Sequence, residues 1–436
     1  MIGSPTLKLM RAFAALALLC QCSSDPPEVG TVGNAGTGGR SEGGASAGLS
    51  GGGAASSGSA GKNGVAGAPG GSAQAGGGAG AAGSAGTAGA FAEPEFILGA
   101  DISSLPEAVD AGTSYVDTDG VSKGLLELLR GHGFNYVRLR TFVDPTALYG
   151  YANPTGEAQF RKSESYCDKA HTLELAQQVK RAGMGLLLDL HYSDNWADPG
   201  KQVIPEAWRA ASSIEELAAH IETYTNDVVS ALVDGGARPD LVQIGNEITP
   251  GLLIHVPAAS PEPDQWGNIN KLTNAVNGST ANMDNVARLL KAGVAGVKAA
   301  DPSIRVMLHL ENTESFTGVR DWVEGVRSRG VELDVLGLSC YTAFQGEPAI
   351  WQDTFEQLAK SFTDLSFVIA EYNPEATRAN RIMADLPEGR GLGTFFWEPT
   401  QGGAWGPSLF TYENSVAHAN ADAFAEFDAI KASLGL

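Results

Sequence analysis

The sequence predicts an α/β protein, a (β/α)8 TIM barrel preceded by a signal segment and a tether rich in Gly, Ala and Ser. Short β-rich runs and helical patterns alternate eight times between residue 91 and residue 436. The segment 91–436 also suits one barrel domain, since about 250 residues is typical and insertions extend that length. A doubly wound sheet would place a glycine-rich phosphate turn after its first strand, but the chain there reads GADIS at 99–103.

Residues 1–22 are predicted to be a signal peptide. Lys8 and Arg11 precede an apolar run at 12–20 that is too short to span a membrane as a mature helix. Cys20 and Cys22 lie at the end of this run, where a cysteine suggests lipid attachment; the alternative is plain secretion with both cysteines removed. We therefore expect a secreted or cell-surface protein, with a lipid anchor to the membrane if one cysteine is modified.

Residues 23–90 are predicted to be a disordered linker. Gly, Ala and Ser predominate, and no aromatic residue occurs. Such a chain cannot bury enough apolar surface to offset the entropy lost on ordering. The segment has no strict Gly-X-Y period, which argues against collagen.

The barrel is predicted in residues 91–436, where strand and helix patterns follow one another in order. The predicted strands are 96–102, 136–142, 185–191, 241–246, 305–310, 335–341, 367–371 and 392–397. The predicted helices include 124–130, 172–182, 214–233, 285–300, 318–329, 351–362 and a C-terminal helix at 417–434.

Charge and cysteine content narrow the classes of partner. The net charge of -21 disfavours nucleic acid or any other polyanion as a ligand. It suits an extracellular enzyme that acts on a neutral polymer, and we expect a monomer that needs no cofactor. Only Cys167 and Cys340 lie in the barrel segment, so one disulfide is possible there if the two meet in the fold.

Polar residues mark the C-terminal ends of the predicted strands, where barrels of this kind keep their chemistry. They are Asp101, Arg138, Arg140, His191, Asn246, Glu247, His309, Tyr341, Glu371, Trp397 and Glu398. The set is too polar for a rim with a purely structural role.

Two of these residues form the candidate catalytic pair. The fourth strand ends in Asn246 and Glu247, and the seventh ends in Glu371, so the two glutamates are expected to face each other across the barrel mouth. Cleavage of a glycosidic bond requires two such carboxyl groups, one protonated to assist the leaving oxygen and one ionised. Their environments must therefore separate their pKa values.

The second strand predicts how one carboxylate stays ionised. Arg138 and Arg140 share one strand face, and both point into the barrel if Val137 and Leu139 face the helices. A buried arginine needs an anionic partner, and Glu371 is one candidate. Tyr341 could donate a second hydrogen bond to Glu371.

Structural roles compete with these interpretations. A glutamate at a strand end is often only an ion-pair partner, and the arginines could instead pair with Asp101 or Asp189. His191 and His309 could be hydrogen-bonded residues of the core or rim. Trp397 could either stack on a pyranose ring or simply pack in the fold.

Several motifs stand out along the barrel segment: GADISS at 99–104, NYVRLR at 135–140 with Asp144-Pro145, LLDLHYSDNWADPGKQ at 187–202, VQIGNE at 242–247 with Gly251-Leu252, Leu308-His309, Ala370-Glu371 and FWEP at 396–399. These motifs resemble those of glycoside hydrolase family 53, the endo-β-1,4-galactanases of the large retaining barrel clan. They span essentially the whole barrel in the family's order, and the run at 187–202 is the most specific.

The resemblance implies cleavage of β-1,4-galactan, the side chain of pectic arabinogalactan, with net retention. It makes Glu247 the acid/base and Glu371 the nucleophile, and it makes Asn246 a partner of the hydroxyl at carbon 2 of the reacting sugar. The expected substrate-binding residues are Asn246, Arg138, His191, Trp196, Tyr341 and Trp397. Trp196, Trp208 and Trp405 are expected in loops over the groove.

The chain departs from the family pattern in three places. The segment after strand six reads CYTAFQG at 340–346 rather than an aromatic-rich run, and Ile254 occupies a position where a tryptophan is usual. The stretch 372–391 is short and lacks an Asp/Asn-rich loop, so we predict that the calcium ion of bacterial relatives is absent, leaving no metal. These changes bear on chain-length preference and on the choice of galactan.

Three other functions remain open from the sequence. A retaining enzyme of the same clan could act on mannan or glucan, and a tethered barrel could capture glycans on a surface without cutting them. A metal-dependent hydrolase is disfavoured because no His-x-His or His-Glu-x-x-His spacing occurs.

Overall fold

The computed structural model describes residues 96–154, 162–257, 271–272 and 276–436. The predicted signal peptide and linker, 1–22 and 23–90, lie outside the described residues. None of the helices in the described part of the chain has the length and hydropathy that a membrane span requires.

Eight parallel strands close into a barrel, which confirms the predicted fold class. Each strand pairs with its neighbours in the chain, and the last strand pairs with the first. The strands are β1 (Ile97–Asp101), β2 (Tyr136–Thr141), β3 (Gly185–Leu190), β4 (Leu241–Ile244), β5 (Arg305–Leu310), β6 (Val335–Cys340), β7 (Ser366–Tyr372) and β8 (Gly391–Trp397).

One main helix follows each strand. The helices are α1 (Leu125–Gly131), α2 (Lys169–Arg181), α3 (Ile214–Asp234), α4 (Met283–Ala300), α5 (Phe316–Arg327), α6 (Pro348–Ser361), α7 (Ala376–Ala384) and α8 (Ala421–Leu434). Side-chain caps set several of their starts, because Asp168, Ser213, Ser315 and Asn420 each accept a hydrogen bond from a backbone amide of the first turn.

The predicted start of the last helix at residue 417 is wrong. Residues Val416–Ala419 form a strand that pairs with Phe410–Glu413 and with Ser114–Val116 in a small sheet beside the barrel. Asn420 caps the amides of Asp422 and Ala423, so the helix begins only after it.

The fourth strand is shorter than predicted. It ends at Ile244 rather than at Asn246, because Gly245 adopts a φ of 76° that leaves the extended conformation. The residues that follow the strand are therefore held by a turn.

The barrel interior consists of an apolar layer below a polar one. The apolar layer is formed by Ile97, Tyr136, Leu187, Leu241, Met307, Val335, Val368, Ala370 and Phe395. Further along the same strand faces the inward side chains are polar, among them Arg138, Asp189 and His309, all fully buried. Because side chains alternate with a period of two, the intervening residues pack outward against the helices.

Candidate active site

Arg138 occupies the centre of the polar layer and contacts three carboxylates. Its Nη1 lies 2.8 Å from Glu371 Oε1 and 3.2 Å from Asp101 Oδ2, and its Nη2 lies 2.8 Å from Asp189 Oδ2. Arg138 therefore contacts Glu371, the partner expected for a catalytic role, and also Asp101 and Asp189, the partners expected for a structural role. A buried guanidinium needs such anionic partners, and here it is shared among β1, β3 and β7.

Glu371 is held by a second donor on the other side. The hydroxyl of Tyr341 donates to Glu371 Oε2 over 2.9 Å, while Oε1 accepts from Arg138. The side chain is only 5% exposed. Both carboxylate oxygens are thus oriented by groups that favour the ionised form.

A β-bulge points Glu371 into the barrel. In the pairing of β6 with β7, Leu338 lies opposite Ile369, but Ser339 lies opposite Glu371, so Ala370 is an extra residue. Ala370 already faces the inner apolar layer, and regular alternation would send Glu371 outward. The bulge places two consecutive residues on the inner face.

Glu247 reaches the same region from the turn after β4. Gly245 and Glu247 both have positive φ values, 76° and 49°, which is rare for a glutamate. Its side chain is partly exposed, and Glu247 Oε1 lies 2.7 Å from Ser339 Oγ. The residue predicted to be the acid/base is thus one of the non-glycine residues with a strained backbone.

The two glutamates differ in their electrostatic environment. Burial, the nearby charge of Glu371 and that of Glu311 raise the pKa of Glu247 well above its ordinary value. Burial also raises the pKa of Glu371, to about 7, but Arg138 and Tyr341 oppose that rise. Glu371 therefore loses its proton first, and Glu247 keeps its proton to higher pH.

Asn246 is fixed by groups from three strands and one loop. Its Oδ1 accepts from Arg138 Nη2 and lies 2.8 Å from His309 Nδ1, while Gln243 Nε2 lies 3.1 Å from it. Its Nδ2 donates to the carbonyl oxygen of Ala197, in the loop after β3. One N–H of the amide is used in this bond, and the other can serve a ligand.

Two tryptophans form an aromatic surface beside the glutamates. Trp196 and Trp397 are half-buried, with ring centroids 5.8 Å apart, and the guanidinium of Arg140 lies 4.0 Å from the Trp196 centroid. Arg140 also bonds Glu398 Oε1 over 2.7 Å. The ion pair thus supports the aromatic surface from below.

Two predicted substrate-binding residues lie beneath the mouth of the barrel. Arg138 is fully buried and His191 is 2% exposed. His191 Nδ1 accepts from the amide of Ala197 over 2.9 Å, and its Nε2 lies 3.0 Å from Asp189 Oδ2. The two ring nitrogens of His191 and the two terminal nitrogens of Arg138 therefore all lie close to protein atoms.

Sequence reasoning missed Ser339 and Gln243 and treated Asp189 only as an ion-pair candidate. Ser339 contacts Glu247, and Gln243 contacts both Arg138 and Asn246. Each lies on an inward face, and Ser339 of β6 precedes Tyr341, which directly follows the strand, by two residues. The period of two was therefore the signal that could have found them.

Trp208 lies away from the groove, contrary to prediction. It is 5% exposed and stacks on His220 of α3, with centroids 5.6 Å apart and ring planes at 5°. Trp405 lies in the loop after β8 and is half-buried.

Cys167 and Cys340 are both free thiols, so the possible disulfide does not form.

Across residues 96–154, 162–257 and 276–436, no group of three or more His, Cys, Asp or Glu side chains is arranged to hold a metal ion. The reactive groups at the mouth of the barrel are the carboxyl groups of Glu247 and Glu371. A family model described as glycosyl hydrolase family 53 matches residues 97–382, about two thirds of the chain.

The chain belongs to glycosyl hydrolase family 53. It is 31% identical to an uncharacterised protein from the bgaB 5' region of Niallia circulans, over 75% of this chain and 88% of that protein. It is 30% identical to arabinogalactan endo-beta-1,4-galactanase A of Aspergillus niger, over 69% of this chain and 84% of the fungal protein. The family resemblance predicted from the motifs is confirmed.

Solved structures agree with this assignment. A fungal beta-1,4-galactanase superposes with a TM-score of 0.61 at 26% identity, covering 76% of this chain and 98% of that one. A family 53 catalytic domain from Ignisphaera aggregans gives a TM-score of 0.62 at 25% identity, covering 77% and 96%.

Proposed function

We propose that this protein is an endo-acting, retaining galactanase that cleaves β-1,4-galactosidic bonds in galactan or type I arabinogalactan. The observation that carries the proposal is the pair of glutamates at the barrel mouth, held by different partners that separate their affinities for a proton. Relatives named as arabinogalactan endo-beta-1,4-galactanases support the substrate.

The end of β6 and the residue that directly follows it hold both carboxyl groups. Ser339 of β6 contacts Glu247, and Tyr341, just after the strand, contacts Glu371. Two residues along a strand are about 6.6 Å apart, so the two carboxyl groups approach one sugar ring from neighbouring inward positions. The charge of Glu371 also raises the pKa of Glu247, as expected for carboxyl groups in one site.

In the first step Glu371 is the nucleophile. Its ionised carboxylate attacks the anomeric carbon while Glu247 gives its proton to the leaving glycosidic oxygen, and a covalent glycosyl-enzyme forms. Arg138 and Tyr341 orient the attacking carboxylate and keep it ionised. The free N–H of Asn246 is available for the hydroxyl at carbon 2 of the same sugar.

In the second step Glu247 is the base. It takes a proton from water, which attacks the anomeric carbon and releases Glu371, so the configuration at that carbon is restored. Trp196 and Trp397 offer apolar faces on which neighbouring sugar rings can stack.

The test is digestion of linear β-1,4-galactan, followed by reducing-end assays and by NMR of the product anomer. We expect early release of the β-anomer and a loss of at least about 10³-fold in kcat in Glu371→Gln and Glu247→Gln, because each removes one required group. Glu388→Gln, on the exposed side of the segment before β8, is the matched control and keeps wild-type rates.

Other outcomes assign the alternatives. Activity on mannan or glucan in place of galactan would move the substrate to another polymer of the same clan. Binding of galactan with no product from the wild-type protein would support a surface glycan-binding barrel.

We also propose that the protein is exported, on the basis of Lys8, Arg11 and the apolar run at 12–20. Fractionation of cells that express the full chain tests this. Membrane association that is lost in a Cys20→Ser, Cys22→Ser variant supports a lipid anchor, and release of the wild-type protein into the medium supports simple secretion. Retention of the full chain in the cytoplasm would overturn the proposal.

A further inference from the structure

A chain of buried polar groups leads from Asn246 to Glu247 through two residues that the proposed mechanism does not use. Asn246 Oδ1 lies 2.8 Å from His309 Nδ1, and His309 Nε2 lies 2.9 Å from Ser339 Oγ. Ser339 Oγ lies 2.7 Å from Glu247 Oε1. His309 and Ser339 are both completely buried, so neither can turn to water for a partner.

The orientation of the Asn246 amide decides the state of His309. Arg138 has only donors, and its Nη2 meets Asn246 Oδ1, while Asn246 Nδ2 meets the carbonyl oxygen of Ala197. The atom nearest to His309 Nδ1 is therefore an oxygen that can only accept. Gln243 Nε2 also lies 3.3 Å from Nδ1, but its two hydrogens have closer acceptors in Asp189 Oδ1 at 2.7 Å and the carbonyl oxygen of Gly245 at 3.0 Å. Nδ1 must carry a proton.

His309 is neutral in this environment. Burial and the charge of Arg138 lower the pKa of His309 well below its ordinary value. A neutral imidazole has one N–H, which here is at Nδ1, so Nε2 is an acceptor. The hydroxyl of Ser339 is the donor within reach of it.

Ser339 has one hydroxyl hydrogen and two acceptors. When Glu247 is protonated, His309 Nε2 accepts the hydroxyl hydrogen of Ser339. The neutral carboxyl group of Glu247 can then donate its own hydrogen to Ser339 Oγ, or lie beside that oxygen without a charge. An ionised Glu247 is the stronger acceptor, because hydrogen bonds to charged groups are about twice as strong as neutral ones. The two acceptors compete for one hydrogen.

We propose that His309 and Ser339 form a hydrogen-bond switch that serves both protonation states of Glu247. With Glu247 protonated, Ser339 donates to His309; once Glu247 has given its proton to the leaving oxygen, the hydroxyl rotates about its Cβ–Oγ bond and donates to Glu247. No proton leaves Ser339 in either direction. The inference rests on the proposed role of Glu247 and makes Ser339 and His309 positioning residues.

The switch predicts opposite effects for its two members. A serine that donates to a carboxylate lowers the pKa of that carboxyl, so removing the hydroxyl in Ser339→Ala should raise the pKa of Glu247. Removing the competing acceptor in His309→Phe frees the hydroxyl for Glu247 at all times, so the pKa of Glu247 should fall. A structural role for either residue would not produce shifts of opposite sign.

The other charges around the switch stay the same in both variants. Glu371 from β7, Glu311 after β5 and Asp198 from the loop after β3 raise the pKa of Glu247. Arg138, Asp189 and His191, from β2 and the end of β3, act on His309.

The test is the pH dependence of kcat/KM for the full chain on galactan, whose alkaline limb reports Glu247. We expect the limb to move up by about half to one pH unit in Ser339→Ala and down by a similar amount in His309→Phe. The double variant should match Ser339→Ala, because His309 acts only through the hydroxyl. Ser339→Thr keeps the hydroxyl and should restore the wild-type limb.

A second measurement needs no substitution. Nitrogen-15 NMR of histidine-labelled protein should show His309 with its proton on Nδ1 and a hydrogen-bonded Nε2 that loses its bond as Glu247 ionises. A proton on Nε2, or limb shifts of the same sign in the two variants, would overturn the switch. Absence of galactan cleavage by the wild-type chain would instead overturn the proposed function, so the two failures are distinguishable.

Discussion

At the scale of single residues, the difference between Glu247 and Glu371 comes from their hydrogen-bond partners. Burial raises the pKa of both carboxyl groups, but Arg138 and Tyr341 oppose this only at Glu371. The rate should therefore rise with pH as Glu371 ionises, with a midpoint about 7, and fall again as Glu247 loses its proton.

Tyr341→Phe tests the contribution of one of these partners. The change removes the donor to Glu371 Oε2, which stabilises the ionised form, so the pKa of Glu371 should rise. We expect the acid limb of kcat/KM to move to higher pH by about one unit, with the alkaline limb much less affected.

The matched control is Tyr372→Phe. Tyr372 is the next residue after Glu371, but its hydroxyl contacts Asn380 of α7 and the residue faces outward. The acid limb should stay where it is in the wild type. An unshifted limb in both variants would remove Tyr341 from the account of how Glu371 stays ionised.

At the scale of elements, both glutamates depend on breaks in strand regularity. A bulge at Ala370 turns Glu371 inward at the end of β7, and the positive φ of Gly245 ends β4 just before Asn246 and Glu247. In each case two consecutive residues serve the barrel interior, which regular alternation does not allow.

Gly245→Ala tests the turn after β4. A methyl group there would lie 2.7 Å from Ile248 Cγ2, and the φ of 76° is unfavourable for alanine by about 1–2 kcal/mol. We expect a loss of stability larger than that backbone penalty, together with a loss of kcat because Asn246 and Glu247 shift.

Gly236→Ala is the control for Gly245→Ala. Its φ is 72°, but a methyl group there would meet nothing within 4 Å. Thermal unfolding and galactan assays on both variants separate the backbone penalty from the effect of crowding. Equal losses of stability and activity in the two would contradict the role assigned to the turn.

At the scale of the whole molecule, one layer of the barrel interior mainly stabilises the fold and another carries the reactive groups. The apolar layer fills the lower part of the barrel, and the polar layer above it carries the ion pairs and the glutamates. Apolar burial is the main stabilising contribution to the folded state, whereas the polar layer orients groups for reaction.

Met307→Ala tests this division. Met307 is fully buried in the apolar layer of β5, two residues before His309. Deleting its side chain should lower the free energy of unfolding by about 2–5 kcal/mol, while the two limbs of the pH profile stay in place. Val109→Ala, at a side chain that is 51% exposed, should change stability by less than about 0.5 kcal/mol.

Chemical denaturation and pH profiles of both variants provide the comparison. A shift of the pH limbs in Met307→Ala would show that the two layers are coupled.

Much of the fold was predictable because its signals are local. Alternating strand and helix patterns identified all eight strands, and polar residues at the strand ends identified both glutamates. Arg138 and Tyr341 could be connected to Glu371 because a buried guanidinium needs an anion and because barrel strands end at one face.

The errors arose where tertiary contacts outweigh local pattern. Val416–Ala419 forms a strand because a partner strand at Ser114–Val116 comes from the other end of the barrel segment. Trp208 packs on His220 of α3 rather than over the groove. Burial of a large indole ring is favourable, and a position in a loop does not show where that ring is buried.

By itself the sequence determined the barrel, its family and the two carboxyl groups, because strand periodicity and strand-end chemistry are written in consecutive residues. Only the tertiary structure decided which residues form hydrogen bonds with those carboxyl groups. Ser339 and His309 meet Glu247 through a hydrogen-bond chain across β5 and β6, and a bulge absent from any residue pattern turns Glu371 inward. Hydrogen-bond partners and strand register depend on contacts between distant segments, and those exist only in the folded chain.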